Sequence, residues 1–303
     1  MPLFTGEIAA LSAACLWAIS TVVFGQLGKR IPPLFLNGFK GLIAIALIVI
    51  TLLLTQAEIP NIATKPIILL LLSGSIGLGL GDTAYFLALN RLGARRTLLI
   101  ETLAPPLTAL GGLVFLRENL SPMAWVGILL TVLGVAWVIA ERTPLERLTS
   151  VDPIIQLWGI GWGLCAILAQ ATGAILSRTA LIQSSISPLW SSLLRLLAGI
   201  VLVLLLILVK GQEEARLKRT IFQVDWSIPL CLGLGFAAFA GTYLGIWLQQ
   251  TSLKFAPAGI AQTLLATSPL FILPIAFMSG ERISKRAIGG TLLSFMGIIL
   301  LFR

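Results

Sequence analysis

FLRENLSPMAWVGILLTVLG, residues 115–134, returns 163 positions further on as MSGERISKRAIGGTLLSFMG, residues 278–297. At that offset Glu118, Ser121, Ala124, Gly127, Leu129, Leu130 and Gly134 meet Glu281, Ser284, Ala287, Gly290, Leu292, Leu293 and Gly297. Upstream, Pro106-Leu107 and Pro269-Leu270 keep the same register. Lys40 and Arg195 correspond at a nearby offset of 155, as expected if loop lengths drifted after a duplication. The chain therefore carries an internal repeat over essentially its whole length.

The setting of that repeat is apolar. Charged residues are 11% of the 303, apolar residues 57%, and the mean hydropathy is +1.01, whereas a soluble domain carries about a quarter charged residues. Runs such as GLIAIALIVITLLL (41–54) and LAGIVLVLLLILV (197–209) extend to about 20 residues, enough to cross ~30 Å of hydrocarbon as helix. No segment alternates polar and apolar residues as a membrane barrel strand must. The N-terminal stretch MPLFTGEIAALSAACLWAIS lacks a basic leader and reads as a retained span.

Ten spans are expected, at 6–27, 33–55, 66–90, 97–116, 122–140, 157–177, 187–209, 227–252, 257–279 and 284–302. They fall into a first five-helix repeat (6–140), a linker (141–156) and a second five-helix repeat (157–302). Five is odd, so the second copy enters the membrane from the opposite side, as in the inverted repeats of secondary transporters. The expected fold is an all-α membrane protein, ten transmembrane helices as two inverted five-helix repeats around a central cavity. The basic residues agree. Fourteen of the 21 Lys and Arg fall in the odd-numbered loops, five on the other side, and Lys40 and Arg195 lie within spans. Equivalent loops of the two halves thus carry opposite bias, and the net charge of +9 reflects topology and anionic head groups rather than nucleic acid.

The chain has no histidine, the commonest general base and metal ligand. Cys15, Cys165 and Cys231 lack metal or disulfide spacing. With no phosphate-binding G-x-x-x-x-G-K-[ST] loop either, the expectation is a protein that is not an enzyme and uses no metal or cofactor.

Ionisable residues inside spans default to function unless they can snorkel to the interface. Asp82, in GLGLGDTAYFLAL, is too short to do so, and its counterpart Gly245 makes any chemistry there asymmetric. Lys40 and Arg195 lie about 10 Å from their helix ends, within snorkelling reach, or else act as cationic walls of a cavity. Glu101 lies near Arg95 and Arg96, which predicts an interfacial ion pair. Glu118 and Glu281 are expected to bond the exposed N–H groups that open the next helix. Trp17 and Gln170 coincide when the first spans of the halves are overlaid, and with Tyr85, Tyr243 and Gln262 they suggest a mixed aromatic and amide lining. Gly74, Gly77, Gly79 and Gly81 allow close helix approach, and Pro105-Pro106 and Pro269 interrupt the fourth span of each half.

The turn-plus-helix units RENLSPMAWVGILLTVLG and GERISKRAIGGTLLSFMG, the preceding APPLTAL and TSPLFIL, and the basic residue early in each second span resemble the drug/metabolite transporter superfamily, specifically its EamA-type proteins of ten spans. The resemblance implies a basket of helices around a central cavity and export or import of small metabolites, often amino acids, or of toxic compounds. The chain lacks the glutamate that related small multidrug transporters carry in the middle of their first span; the region here is AACLWAIS. The expected substrate-binding residues are Trp17, Lys40, Asp82, Tyr85, Gln170, Arg195, Tyr243 and Gln262, the partners a small-molecule substrate and the lipid bilayer, and the location a bacterial plasma (inner) membrane. Two complete halves in one chain remove the need for a dimer to form the cavity. The rival reading is a non-transporting scaffold or lipid-binding protein, which would keep the repeat and tolerate apolar replacement of Asp82, Gln170 and Gln262.

Overall fold

A computed structural model describes residues 4–58, 60, 63–140, 153–209, 224, 226–278 and 284–302. These residues are helical throughout, apart from turns, caps and loops. The first half comprises α1 (Thr5–Leu27), α2 (Pro33–Leu54), α3 (Thr64–Leu92), α4 (Ala94–Glu101, Ala104–Gly111 and Gly112–Leu116) and α5 (Pro122–Ile139). The second comprises α6 (Pro153–Ile182), α7 (Pro188–Val209), α8 (Ile228–Phe255), α9 (Ala258–Leu265 and Ser268–Met278) and α10 (Lys285–Leu301). Eight of these are long and apolar enough to cross a membrane; the apolar stretch of α9 is shorter, and α10 has 17 residues. Helices are the natural outcome in hydrocarbon, because each must satisfy its backbone polar groups internally. The sixth helix is longer than the expected 157–177: Pro153 suits a first-turn position, and the helix continues past Arg178 to Ile182.

Inversion is visible where α5 meets α10. A Cβ on Gly127 would stand 2.9 Å from the Gly297 carbonyl, and one on Gly290 would stand 2.8 Å from the Gly134 carbonyl. Gly297 is the repeat partner of Gly134 and Gly290 that of Gly127, so the two equivalent helices run antiparallel and each glycine meets the partner of the other. Ser121 and Ser284 cap these helices identically, accepting from the N–H of Ala124 (3.1 Å) and Ala287 (3.0 Å). Contacts between the halves recur in mirrored pairs: α1 packs on α8 as α6 packs on α3, and α2 on α8 as α7 on α3. The outer surface is apolar; Leu53 and Leu54 of α2 are 72% and 80% exposed, as suits side chains solvated by lipid.

Because α5 and α10 touch through backbone, their contact admits no added methyl without separation. Gly134→Ala is expected to destabilise the protein by about 1–3 kcal/mol, read as a lower melting temperature in detergent, and Gly290→Ala should match it. An unchanged melting temperature in both would mean that the helices do not meet there.

Two departures from regular α-helix repeat in both halves. Residues Gly74–Gly81 of α3 and Ala238–Leu244 of α8 form wide π turns, each directly preceding the equivalent positions Asp82 and Gly245. A π turn interrupts the regular ladder, and the equivalent carbonyls of Leu78 and Gly241 accept bonds from Asn37 Nδ2 (3.0 Å) and Trp17 Nε1 (2.7 Å). The other departure lies in α4 and α9, which break at Thr102-Leu103 and at Ala266-Thr267 and restart with Pro105 and Pro269 in their new first turns. Thr102 and Thr267 bond the carbonyls of Leu99 and Leu264 at the breaks (2.7 and 2.6 Å).

Candidate functional site

Both breaks and both π turns face one cavity of about 190 Å³ between the halves, with Leu78, Gly81, Gly241 and Thr242 from the π turns and Thr102, Ala104, Leu265, Ala266, Ser268 and Pro269 from the breaks. By volume it holds on the order of ten waters, the scale of a small metabolite. Its lining extends from Gln170, Gln249 and Gln262 to Gly25, Leu89, Leu98 and Ile139, close to the ends of their helices beside the odd-numbered, basic loops.

Of the residues singled out in the sequence, Trp17, Lys40, Asp82, Tyr85, Gln170 and Gln262 line this cavity together. Lys40 and Asp82 form an ion pair, Nζ to Oδ2, with side chains 11% and 18% exposed. Phe24 and Phe86 flank the ammonium at 5.8 and 5.3 Å from their ring centroids, close enough for cation–π attraction. The Lys40 stem therefore turns inward to a counter-ion and does not snorkel. Trp17 is held in place by its bond to Gly241, and Asn37 steadies the Asp82 turn through Leu78 and Thr83 (3.2 Å).

Arg195 and Tyr243 are not among the lining residues. Arg195 is 1% exposed and packs beside Gly77, its Nη1 donating to Gln249 Oε1 (3.1 Å). Gln249 does line the cavity, so Arg195 stands one residue behind the wall. Absence of a side chain at Gly74 is what admits this arrangement, since a Cβ there would collide with the Arg195 backbone. Tyr243 shares a hydrogen bond with Thr51 (2.8 Å) and packs between Phe239 and Trp247.

Two acidic residues depart from expectation. Glu101 faces the cavity and has no ion pair among the described residues, while Arg96 donates to Gln156 (3.2 Å). The break that follows Glu101 turns the end of its helical segment inward, a rotation that proximity in sequence to Arg95 and Arg96 does not reveal. Glu118 does not cap α5, whose N-terminus Ser121 already serves. It accepts from Arg178 Nε (2.6 Å) and from the Ala258 N–H (2.8 Å), so its carboxylate caps α9 of the other half. Arg178 in turn donates Nη1 to the carbonyls of Leu253 and Lys254 (2.9 Å each) at the end of α8. One ion pair thus clasps the α8–α9 turn at the end opposite the cavity's extension. Glu281 lies outside the described residues.

An apolar ten-helix bundle of inverted halves, with a polar, charged cavity at their interface, defines a membrane-transporter architecture. The chain belongs to the EamA-like transporter family, which it matches over residues 4–140 and 157–303, and it is an integral membrane protein. It is 24% identical over 267 residues to the uncharacterized transporter YetK of Bacillus subtilis (strain 168), covering 88% of this chain and 77% of that protein. A solved crystal structure shares the fold with a TM-score of 0.77 at 15% identity, over 99% of this chain and 98% of the other.

Proposed function

We propose that the protein is a secondary transporter that moves a small metabolite, of the size of an amino acid or related compound, by alternating access. The observation that carries this reading is a charged cavity between inverted halves that extends toward one end of the helices and is clasped by Glu118 and Arg178 at the other. Inverted repeats give such a protein two related conformations, because each half can adopt the arrangement of its partner. In this reading residues 6–140 and 157–302 are the two moving units joined by the 141–156 linker. Trp17, Lys40, Asp82, Tyr85, Gln170 and Gln262 bind the substrate, and Arg195 and Tyr243 hold the helices behind them.

The test is a thermal-shift screen of the purified protein against amino acids, sugars, nucleosides, phosphorylated metabolites and lipophilic cations, followed by flux of each stabilising compound in liposomes. A ligand at 100 times its Kd adds about 2.7 kcal/mol to stability, a readable shift. The expected result is at least one compound that both stabilises and crosses, with Asp82→Asn abolishing both effects. Absence of any shift together with absence of flux would favour the scaffold reading.

A further inference from the structure

Among the described residues, the charged side chains on the cavity wall are Lys40, Asp82 and Glu101. Lys40 and Asp82 neutralise each other. Glu101 has neither ion pair nor hydrogen bond among the described residues, and Arg195 is turned away from the wall toward Gln249. The wall therefore presents one carboxylate in surplus. An unpaired charge at membrane depth is costly, so a ligand that supplies the opposite charge gains more here than it would in water. A second, independent observation points the same way. Gln262 Oε1 is buried without a hydrogen-bond partner, on a residue 6% exposed that lines the same cavity. A buried acceptor left empty costs free energy that a ligand N–H recovers. Trp17, Phe24, Tyr85 and Phe86 surround these groups with ring faces that attract cations.

We infer that the ligand of this cavity carries a protonated amine, with Glu101 as its counter-charge and Gln262 Oε1 as an acceptor for one of its N–H groups. This rests on the transporter reading and narrows its substrate class. An anion would meet the uncompensated carboxylate, and a neutral compound would leave it unpaired. A quaternary ammonium would satisfy Glu101 while leaving Gln262 empty, so primary amines bind better than their trimethylated counterparts.

The test uses compounds that share a skeleton: 2-phenylethylamine, its trimethylammonium derivative, 2-phenylethanol and phenylacetate, together with leucine and 2-hydroxy-4-methylpentanoate. Each is measured by thermal shift on the full-length protein and by flux in liposomes. The amine-bearing members are expected to bind, the primary amine ahead of the quaternary one. Glu101→Gln should weaken that binding roughly 10- to 100-fold, the loss expected of one charge-assisted hydrogen bond. Glu101→Asp keeps the charge and should keep the preference for amines. The melting temperature of the ligand-free Glu101→Gln protein serves as the control for folding, and Gln262→Leu, which should reduce the advantage of primary over quaternary amine, provides a second reading. The inference is overturned if the alcohol or the acid binds as tightly as the amine, or if a folded Glu101→Gln protein retains full amine affinity. Flux of an acid or alcohol alone would leave the transporter reading standing without this inference; silence of these compounds and of the wider screen would remove both.

Discussion

Lys40→Met is expected to lower the stability of the purified protein by about 3 kcal/mol, the low end of the range for breaking a buried ion pair. The substitution leaves Asp82 without its ammonium at a depth where few other donors reach it. Cavity-side exposure of 18% at Asp82 gives partial access to water and keeps the loss from being larger. Asp82→Asn should cost a similar amount by stranding Lys40 between Phe24 and Phe86. The double variant Lys40→Met with Asp82→Asn removes both charges and should recover much of the loss, so the three proteins form a double-mutant cycle with a coupling of about 2 kcal/mol or more. Detergent melting curves report it directly. Additive losses in the double variant would mean that the two side chains do not act as a pair. Flux separates packing from function: the double variant should fold yet fail to transport, because the polar face of the cavity at α2 and α3 is gone.

Arg178→Ala should release the clasp on the α8–α9 turn. It removes the charge partner of Glu118 and both bonds to the Leu253 and Lys254 carbonyls. Glu118, 13% exposed at its side chain, is left with only the Ala258 N–H. A cost of about 3 kcal/mol is expected for such a stranded carboxylate, and it falls on the conformation clasped at this end. The population should shift accordingly, since 1.4 kcal/mol is a factor of ten. The readout is thiol labelling of Ala261→Cys, one turn into α9 and fully buried here, after Cys15, Cys165 and Cys231 have been replaced. The labelling rate from the even-loop side should rise at least about tenfold in Arg178→Ala, while Arg178→Lys, which keeps charge but loses the planar fork, should fall between. Equal rates in all three would show that the ion pair plays no part in closing that end. The position equivalent to Arg178 in the first half is Gly25, so the opposite end of the bundle has no matching arginine, and the two conformations are sealed by different chemistry.

The local pattern carried most of the architecture. Apolar runs long enough to span, Ser-x-x at the starts of α5 and α10, and glycines at 127, 134, 290 and 297 each act through short-range geometry, and each is readable because helices in hydrocarbon must close their own hydrogen bonds. The cavity was legible in part. Asp82, Lys40, Trp17, Tyr85, Gln170 and Gln262 stood out as polar or charged residues in apolar surroundings, and they line it together. Arg195 and Tyr243 stood out for the same reason and yet face neighbouring helices, because polarity marks a residue that needs a partner without telling which partner it finds. The π turns had a partial signal in the glycine-rich flank of Asp82, which reads equally well as packing; their counterpart in α8, Ala238–Leu244, has a single glycine. Glu101 was misplaced because the break at Thr102-Leu103 sets where its side chain points. Glu118 was assigned to the helix beside it in sequence when its partners lie 60 and 140 residues away.

The sequence by itself determined the number of spans, their division into two halves and the inversion that relates them, since each follows from hydrophobic length, an internal repeat and an odd count. Tertiary structure alone decided which charges are neutralised. Lys40 reaches Asp82 across 42 positions, Arg178 reaches Glu118 across 60, and Glu101 reaches nothing. The reason is physical: in a low-dielectric interior the energy of a charge depends on the few groups within a few ångströms of it, and those neighbours come from helices that only folding brings together.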